Sequence, residues 1–230
     1  MTAPSAPSAP PDAASLTPTT LLDSDHHAVI AFAREHGQGS DERERAVALY
    51  HAVRDGFRYD MYRVDLTPQG MKASSVLALG HGWCVTKAAL LAASCRAIGI
   101  PSRVGYADVR NHLSTERARQ ALKTDLFIWH GYTDIWLDSA WRKATPAFNH
   151  TLCERFGLKP LEWNGIDDSL YHAYDRAGNR HMEYVHQRGS FDDMPLAQIV
   201  ADFAITYPSL GGGSALRDAD FLADVERENP

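Results

Sequence analysis

Three cysteines in 230 residues are too few for a disulfide framework. That usage fits a reducing compartment, and a cytoplasmic location is expected. No apolar run approaches the length of a membrane-spanning helix, so no membrane partner is expected. Positive charge is also in short supply. Lys and Arg number 23 against 29 Asp and Glu, for a net charge of −6. No basic face interleaved with aromatics is visible, which argues against nucleic acid as a partner. The opening stretch, MTAPSAPSAPPDAASLTPTT, lacks a basic segment followed by an apolar core and does not read as a signal peptide. Its Pro, Ala, Ser and Thr content predicts a disordered tail over residues 1–22. A globular domain is expected over 23–210. From Gly211-Gly212-Gly213 onward, 211–230 is expected to be a flexible C-terminal segment.

What is present is ordinary for a globular protein: 44% hydrophobic and 23% charged residues. Its order is informative. Asp23 to His36 reads as a helix. Ser40 caps a second, DERERAVALYHAVRDGF, in which Ala46, Leu49, Tyr50 and Val53 repeat at helical spacing. Ser74 or Ser75 starts a short turn of helix. Ser102 to Val109 is β-compatible. Leu126 to Leu137, LFIWHGYTDIWL, is the strongest strand signal in the chain, and Ala140 to Thr145 returns beside it after an Asp138-Ser139 turn. His181 to His186 is strand-like and Asp193 to Tyr207 helical. Helices come first and strands later, which predicts an α+β fold with an antiparallel sheet.

Leu79 to Ser102, LGHGWCVTKAALLAASCRAIGIPS, organises the rest. Cys84 stands at the mouth of a helix running from Val85 to Ile98. Gly99 sits where a glycine ends a helix, and Pro101 prevents its return. A thiol at a helix N-terminus feels the positive end of the macrodipole, which predicts a depressed pKa for Cys84. His130 lies on the long strand, and strand alternation points it with Ile128, Tyr132 and Asp134. A Cys at a helix start and a His on a strand are the two parts of a thiol nucleophile with its base.

These segments resemble the transglutaminase-like superfamily. GWCVTKAALLAASCRAIGIPSRV is similar to its nucleophile segment, DERERAVALYHAVRDGFRYD to the helix upstream of it, and HGYTDIWLDSAWRKATPAFN to its histidine segment. The three stretches cover about residues 40–149 in the family's order. The resemblance implies a papain-like core, with the nucleophile helix packed on an antiparallel sheet, Cys84 as nucleophile and His130 as base. It implies acyl transfer through a thioester: cleavage or transamidation of an amide or peptide bond in a peptide, protein or small amide substrate. No cofactor is expected. Where the family carries an acid before a proline, this chain has Thr145 before Pro146. Its hydroxyl can accept from an imidazole N–H but cannot stabilise imidazolium as a carboxylate does. Thr145 is one candidate to orient His130, and Asn149 or Asp134 are others. A weakened or inactive domain acting as a binding module is the alternative. The backbone N–H of Cys84 is the default oxyanion donor, and Trp83 either adds its indole N–H or walls the cleft.

A metal reading rests on His81-x-x-Cys84 and His150-x-x-Cys153. Structural zinc pairs are usually Cys-x-x-Cys, and Cys84 belongs to a better-matched motif, so no metal is expected.

Overall fold

The computed structural model describes residues 9–111, 114–170, 176–178, 181–212, 216 and 218–228. Among them are eight α-helices. In chain order these are α1 (His27–His36), α2 (Glu42–Gly56), α3 (Ala73–Leu79), α4 (Cys84–Ala97), α5 (Glu116–Leu122), α6 (His150–Arg155), α7 (Leu196–Thr206) and α8 (Phe221–Glu228). The strands are β1 (Arg58–Tyr59), β2 (His81–Gly82), β3 (Ser102–Asn111), β4 (Leu126–Leu137), β5 (Ala140–Ala144) and β6 (Met182–Phe191). The last four form one antiparallel sheet in the order β5-β4-β3-β6. The expected α+β class is what the chain adopts. No helix among the described residues is long and apolar enough to cross a membrane.

α4 is the axis of this arrangement. Every residue from Cys84 to Arg96 is buried, which is why its sequence shows no polar face. α1, α2 and α3 pack on it from one direction, β3 and β4 from the other. Ala88, Ala89, Ala92 and Ala93 keep the helix slim, so its neighbours come close. Leu90 and Leu91 fill the remaining space, and each contributes about 1.5–3 kcal/mol through burial. The helix ends at Gly99, whose φ of 83° is available to glycine at little cost.

Four buried side chains on α4 are polar, Thr86, Lys87, Ser94 and Arg96, and Lys87 bears most on the site. The Lys87 Nζ donates to the carbonyls of Arg54, Phe57 and Ala147 at 2.8, 2.7 and 2.9 Å. Two of these close the end of α2, and the third fixes the loop after Pro146. Burial pushes the Lys87 ammonium down to about 7. Three carbonyls matched to three N–H groups oppose that push.

Two expectations about the ends need correction. Residues 1–8 lie outside the described residues, but 9–22 are laid against the core instead of hanging free. Leu21 and Leu22 are buried, Arg96 donates to the Thr17 carbonyl at 2.8 Å, and the Trp141 indole donates to the Ala9 carbonyl at 2.8 Å. At the other end, residues 213–215, 217 and 229–230 lie outside the described residues, and α8 buries Phe221, Asp224 and Val225. The Asp224 carboxylate accepts from Tyr62 and Arg117. Smaller boundary shifts occur elsewhere. His26 caps α1, and Asp41, not Ser40, caps α2. The Asp23 carboxylate accepts from the N–H and hydroxyl of Ser74, ahead of the cysteine helix.

Candidate active site

The site begins where β4 crosses the start of α4. Trp83 caps the helix in an extended conformation, and its N–H donates to the Thr86 hydroxyl at 3.1 Å. Cys84 is therefore the first helical residue, with its thiol among backbone N–H groups. Gly131 of β4 lies directly on this turn. A Cβ there would sit 2.8 Å from the Val85 Cα and 2.9 Å from the Cys84 carbonyl oxygen. Only glycine permits that approach. It brings the strand's backbone onto the helix mouth and places His130 next to it.

The strand is irregular at this point. Ala107 pairs with His130 and Val109 with Phe127, so the ladder slips between them. Trp129 holds a left-handed φ of 59°, uncommon for a bulky residue and a place where strain is stored. Its surroundings hold it there. The Trp129 N–H donates to Asp108 at 3.0 Å, its indole N–H donates to Asp202 at 2.9 Å, and Arg188 lies over the ring at 4.4 Å. Arg188 also bonds both carboxylates. Bulges re-aim side chains next to functional sites, and this one does so for His130. Simple alternation fails here: Phe127, Ile128 and His130 all border one cavity, while Tyr132 and Asp134 do not.

That cavity, of about 280 Å³, is bordered by both Cys84 and His130. Its walls are mostly aromatic and aliphatic, including Tyr59, Trp83, Phe148, Phe203 and Tyr207. Cys84 and His130 are each only 6% exposed, and Trp83 is 7% exposed. The Trp83 Nε1 is buried with no hydrogen-bond partner among the described residues.

Burial decides the state of the thiol. Loss of water pushes Cys84 up to about 11, against the pull of the N–H groups of Gly131, Val85 and Cys84 itself. At a helix start those N–H groups alone would depress the thiol, but the tertiary burial of Cys84 outweighs them.

The candidates for orienting His130 fare differently. Thr145 is 3% exposed, and its hydroxyl makes no hydrogen bond. It does not border the cavity. Its backbone is well tied: the N–H donates to the Ser169 carbonyl at 2.9 Å and the carbonyl accepts from Tyr50 at 3.3 Å. The Asn149 side-chain oxygen accepts from the Tyr59 N–H at 3.1 Å. Asp134 accepts from Ser190 and lies 3.8 Å from Arg103 and 3.6 Å from Lys143. These contacts are all with groups other than the imidazole. The metal motif does not assemble either. Among the described residues no three His, Cys, Asp or Glu side chains gather around a possible ion. Cys153 instead points its thiol at the Phe148 carbonyl.

Gly131 and Lys87 escaped the sequence argument. Gly131 follows the histidine in the sequence, but its necessity lies in a contact 46 residues back in the chain. Lys87 had a visible signal, a cation near the start of a helix rich in Ala and Leu.

A family model described as the transglutaminase-like superfamily matches residues 30–146. No curated protein matches the chain. Two solved structures are similar. One is described as a "Putative Cysteine Protease from Cytophaga hutchinsonii", at 18% identity and a TM-score of 0.44, over 78% of this chain and 56% of that one. The other is described as a "putative protease from Parabacteroides distasonis ATCC 8503", at 16% identity and a TM-score of 0.36, over 55% of this chain and 26% of that one. The chain thus spans little more than half of the first structure and about a quarter of the second.

Proposed function

The chain belongs to the transglutaminase-like superfamily, and from that premise we propose that it is a cysteine-dependent acyl-transfer enzyme. The observation that supports this most is the shared cavity. Cys84 and His130 border one enclosed space, at the point where Gly131 presses β4 onto the start of α4. In this reading the thiol is protonated at rest, because burial holds it at about 11. Attack and deprotonation then coincide: Cys84 Sγ adds to the carbonyl carbon as the thiol proton passes to the His130 imidazole. The negative oxygen is met by the Cys84 N–H and the Trp83 indole N–H. Collapse expels the amine or other leaving group, which takes the proton from imidazolium. Water or an amine then resolves the thioester. The scheme uses no cofactor.

A second reading is a binding module that keeps the fold without the chemistry. It is favoured by Thr145, whose hydroxyl at the acid position makes no hydrogen bond.

Iodoacetamide labelling across a pH series separates the two. The wild type should be modified at Cys84 ahead of Cys95 and Cys153, with a rate that levels off once imidazole is neutral. In His130→Gln the thiol titrates alone, and the rate should climb about tenfold per pH unit toward 11. The same steep climb in both proteins removes His130 from the chemistry and leaves the binding module.

A further inference from the structure

The cavity beside Cys84 is unusual in how little polarity it offers. Among the described residues that border it none is charged, and most are aliphatic or aromatic: Val64, Leu66, Leu122, Phe127, Ile128 and Phe203 are examples. Two of its tyrosine hydroxyls are committed to the protein. Tyr207 donates to the Leu126 carbonyl at 2.8 Å and accepts from the Ile128 N–H at 2.9 Å. The Tyr62 hydroxyl bonds to Thr115 and donates to Asp224. One donor stands apart. The Trp83 Nε1 is buried, has no hydrogen-bond partner among the described residues, and belongs to the residue next to the proposed nucleophile. A buried N–H left unpaired is costly, which marks it as a group that waits for an acceptor. Apart from its tyrosines and Asn111, the polar groups of the chamber are Cys84, His130 and Trp83, and the rest of its lining is apolar. Its mouth is marked by Val200 and Ala204 of α7, which border the cavity and are also exposed, so the entrance is apolar too.

Resting on the acyl-transfer reading of this site, we propose that the acyl donor carries an unbranched or aromatic apolar acyl group, which fills the chamber while its carbonyl oxygen takes the Trp83 N–H. The leaving group is an alcohol, thiol or amine that remains at the mouth. At about 30 Å³ for each water-sized group, the 280 Å³ chamber accepts a chain of roughly eight to ten carbons. A carboxamide-bearing or charged acyl group would be stripped of water there without partners, and such burial is strongly unfavourable. The covalent step is balanced within the site. The S–C bond forms as the thiol proton moves to His130, and the C–O, C–S or C–N bond breaks as that proton moves to the leaving group. Water then cleaves the thioester to a carboxylic acid and restores the thiol.

The test uses the full chain and p-nitrophenyl esters of acetate, butanoate, hexanoate and octanoate, together with the half-ester of succinate. Two readouts are taken: kcat/KM, and the mass of the Cys84 peptide after acid quenching. Each methylene buried should raise kcat/KM about fourfold until the chamber is full, so octanoate should exceed acetate by at least 10²-fold. The charged succinyl donor should fall below butanoate by 10-fold or more. Leu66 is only partly buried, so Leu66→Asp should fold and should reduce the octanoate-to-acetate ratio at least tenfold. Acylation of Cys84 with no rise along the series overturns this inference and leaves the acyl-transfer reading intact. No acylated Cys84 peptide with any ester overturns both.

Discussion

Cys84 and Cys95 lie about three turns apart on one helix, both buried and both pushed up by loss of water, to about 11 and about 12. Their surroundings otherwise differ. Around Cys84 are three backbone N–H groups and a cavity that also holds an imidazole. Cys95 belongs to a buried apolar cluster with Leu49, Leu91 and Ile135, and it does not border the cavity that Cys84 borders. Pull on the thiolate is present at both, since Arg45 and Arg96 lower the Cys95 value as the N–H groups lower that of Cys84. On the proposed chemistry, what separates the two ends is a cavity at the thiol and an imidazole to take its proton. A cysteine with a raised pKa is still usable when its proton has somewhere to go at the moment of attack.

The sharpest way to break this comparison is to remove each sulfur in turn. On the proposed chemistry Cys84→Ala should take turnover to background, a loss of 10³-fold or more, with thermal stability close to that of the wild type. Cys95→Ala should do the reverse. Its kcat/KM should stay within about twofold, while stability falls by about 1 kcal/mol through lost packing. Denaturant melts and initial rates on the two proteins decide it. A large rate loss in Cys95→Ala would mean that the sealed end also serves the chemistry.

A smaller effect sharpens the same contrast. Trp83→Phe keeps an aromatic wall beside Cys84 and deletes only the indole N–H that has no partner. If that N–H meets the oxyanion, kcat should fall by about 10²-fold with KM little changed. Stability should hold or rise slightly, because an unpaired buried donor has been removed. An unchanged kcat would leave the ring as a wall and the Cys84 N–H as the donor.

The open end of α4 was also the more legible one. Gly80, Gly82 and the helical run rich in Ala and Leu after Cys84 announced a helix mouth, and LFIWHGYTDIWL announced the strand that meets it. β4 occupies those twelve residues as expected. Local pattern could carry that much because it reports which segments seek burial. It does not report what covers them. Phe203 and Tyr207 lie more than a hundred residues downstream of Cys84, yet they help to dry its thiol. The bulge at Trp129 depends on Asp108, Arg188 and Asp202, three residues from three elements. Residues 9–22 looked too polar to pack, but Leu21 and Leu22 and the donors of Arg96 and Trp141 hold them down.

Thr145 supplies the smallest expected effect and tests the comparison from a third position. By its place before Pro146 it matches the family's acid, which predicts that Thr145→Val slows the reaction about 10²-fold. The surroundings predict otherwise. Thr145 is 3% exposed, its hydroxyl has no hydrogen-bond partner among the described residues, and its backbone bonds to Ser169 and Tyr50. Valine keeps the shape and both backbone bonds. It also removes a buried hydroxyl that has lost its water without gaining a partner, so stability should rise by about 1 kcal/mol. kcat/KM should then change by less than about twofold, and Thr145 would behave like Cys95, as a packing residue. Thr145→Asp is the counterpart: a carboxylate this deeply buried should lower stability by several kcal/mol unless it finds the imidazole. The measurements are kcat/KM and melting temperature on both variants. A tenfold or greater loss of rate in Thr145→Val at unchanged melting temperature would return the hydroxyl to the mechanism. It would then have to reach His130 in a conformation that forms only with substrate bound.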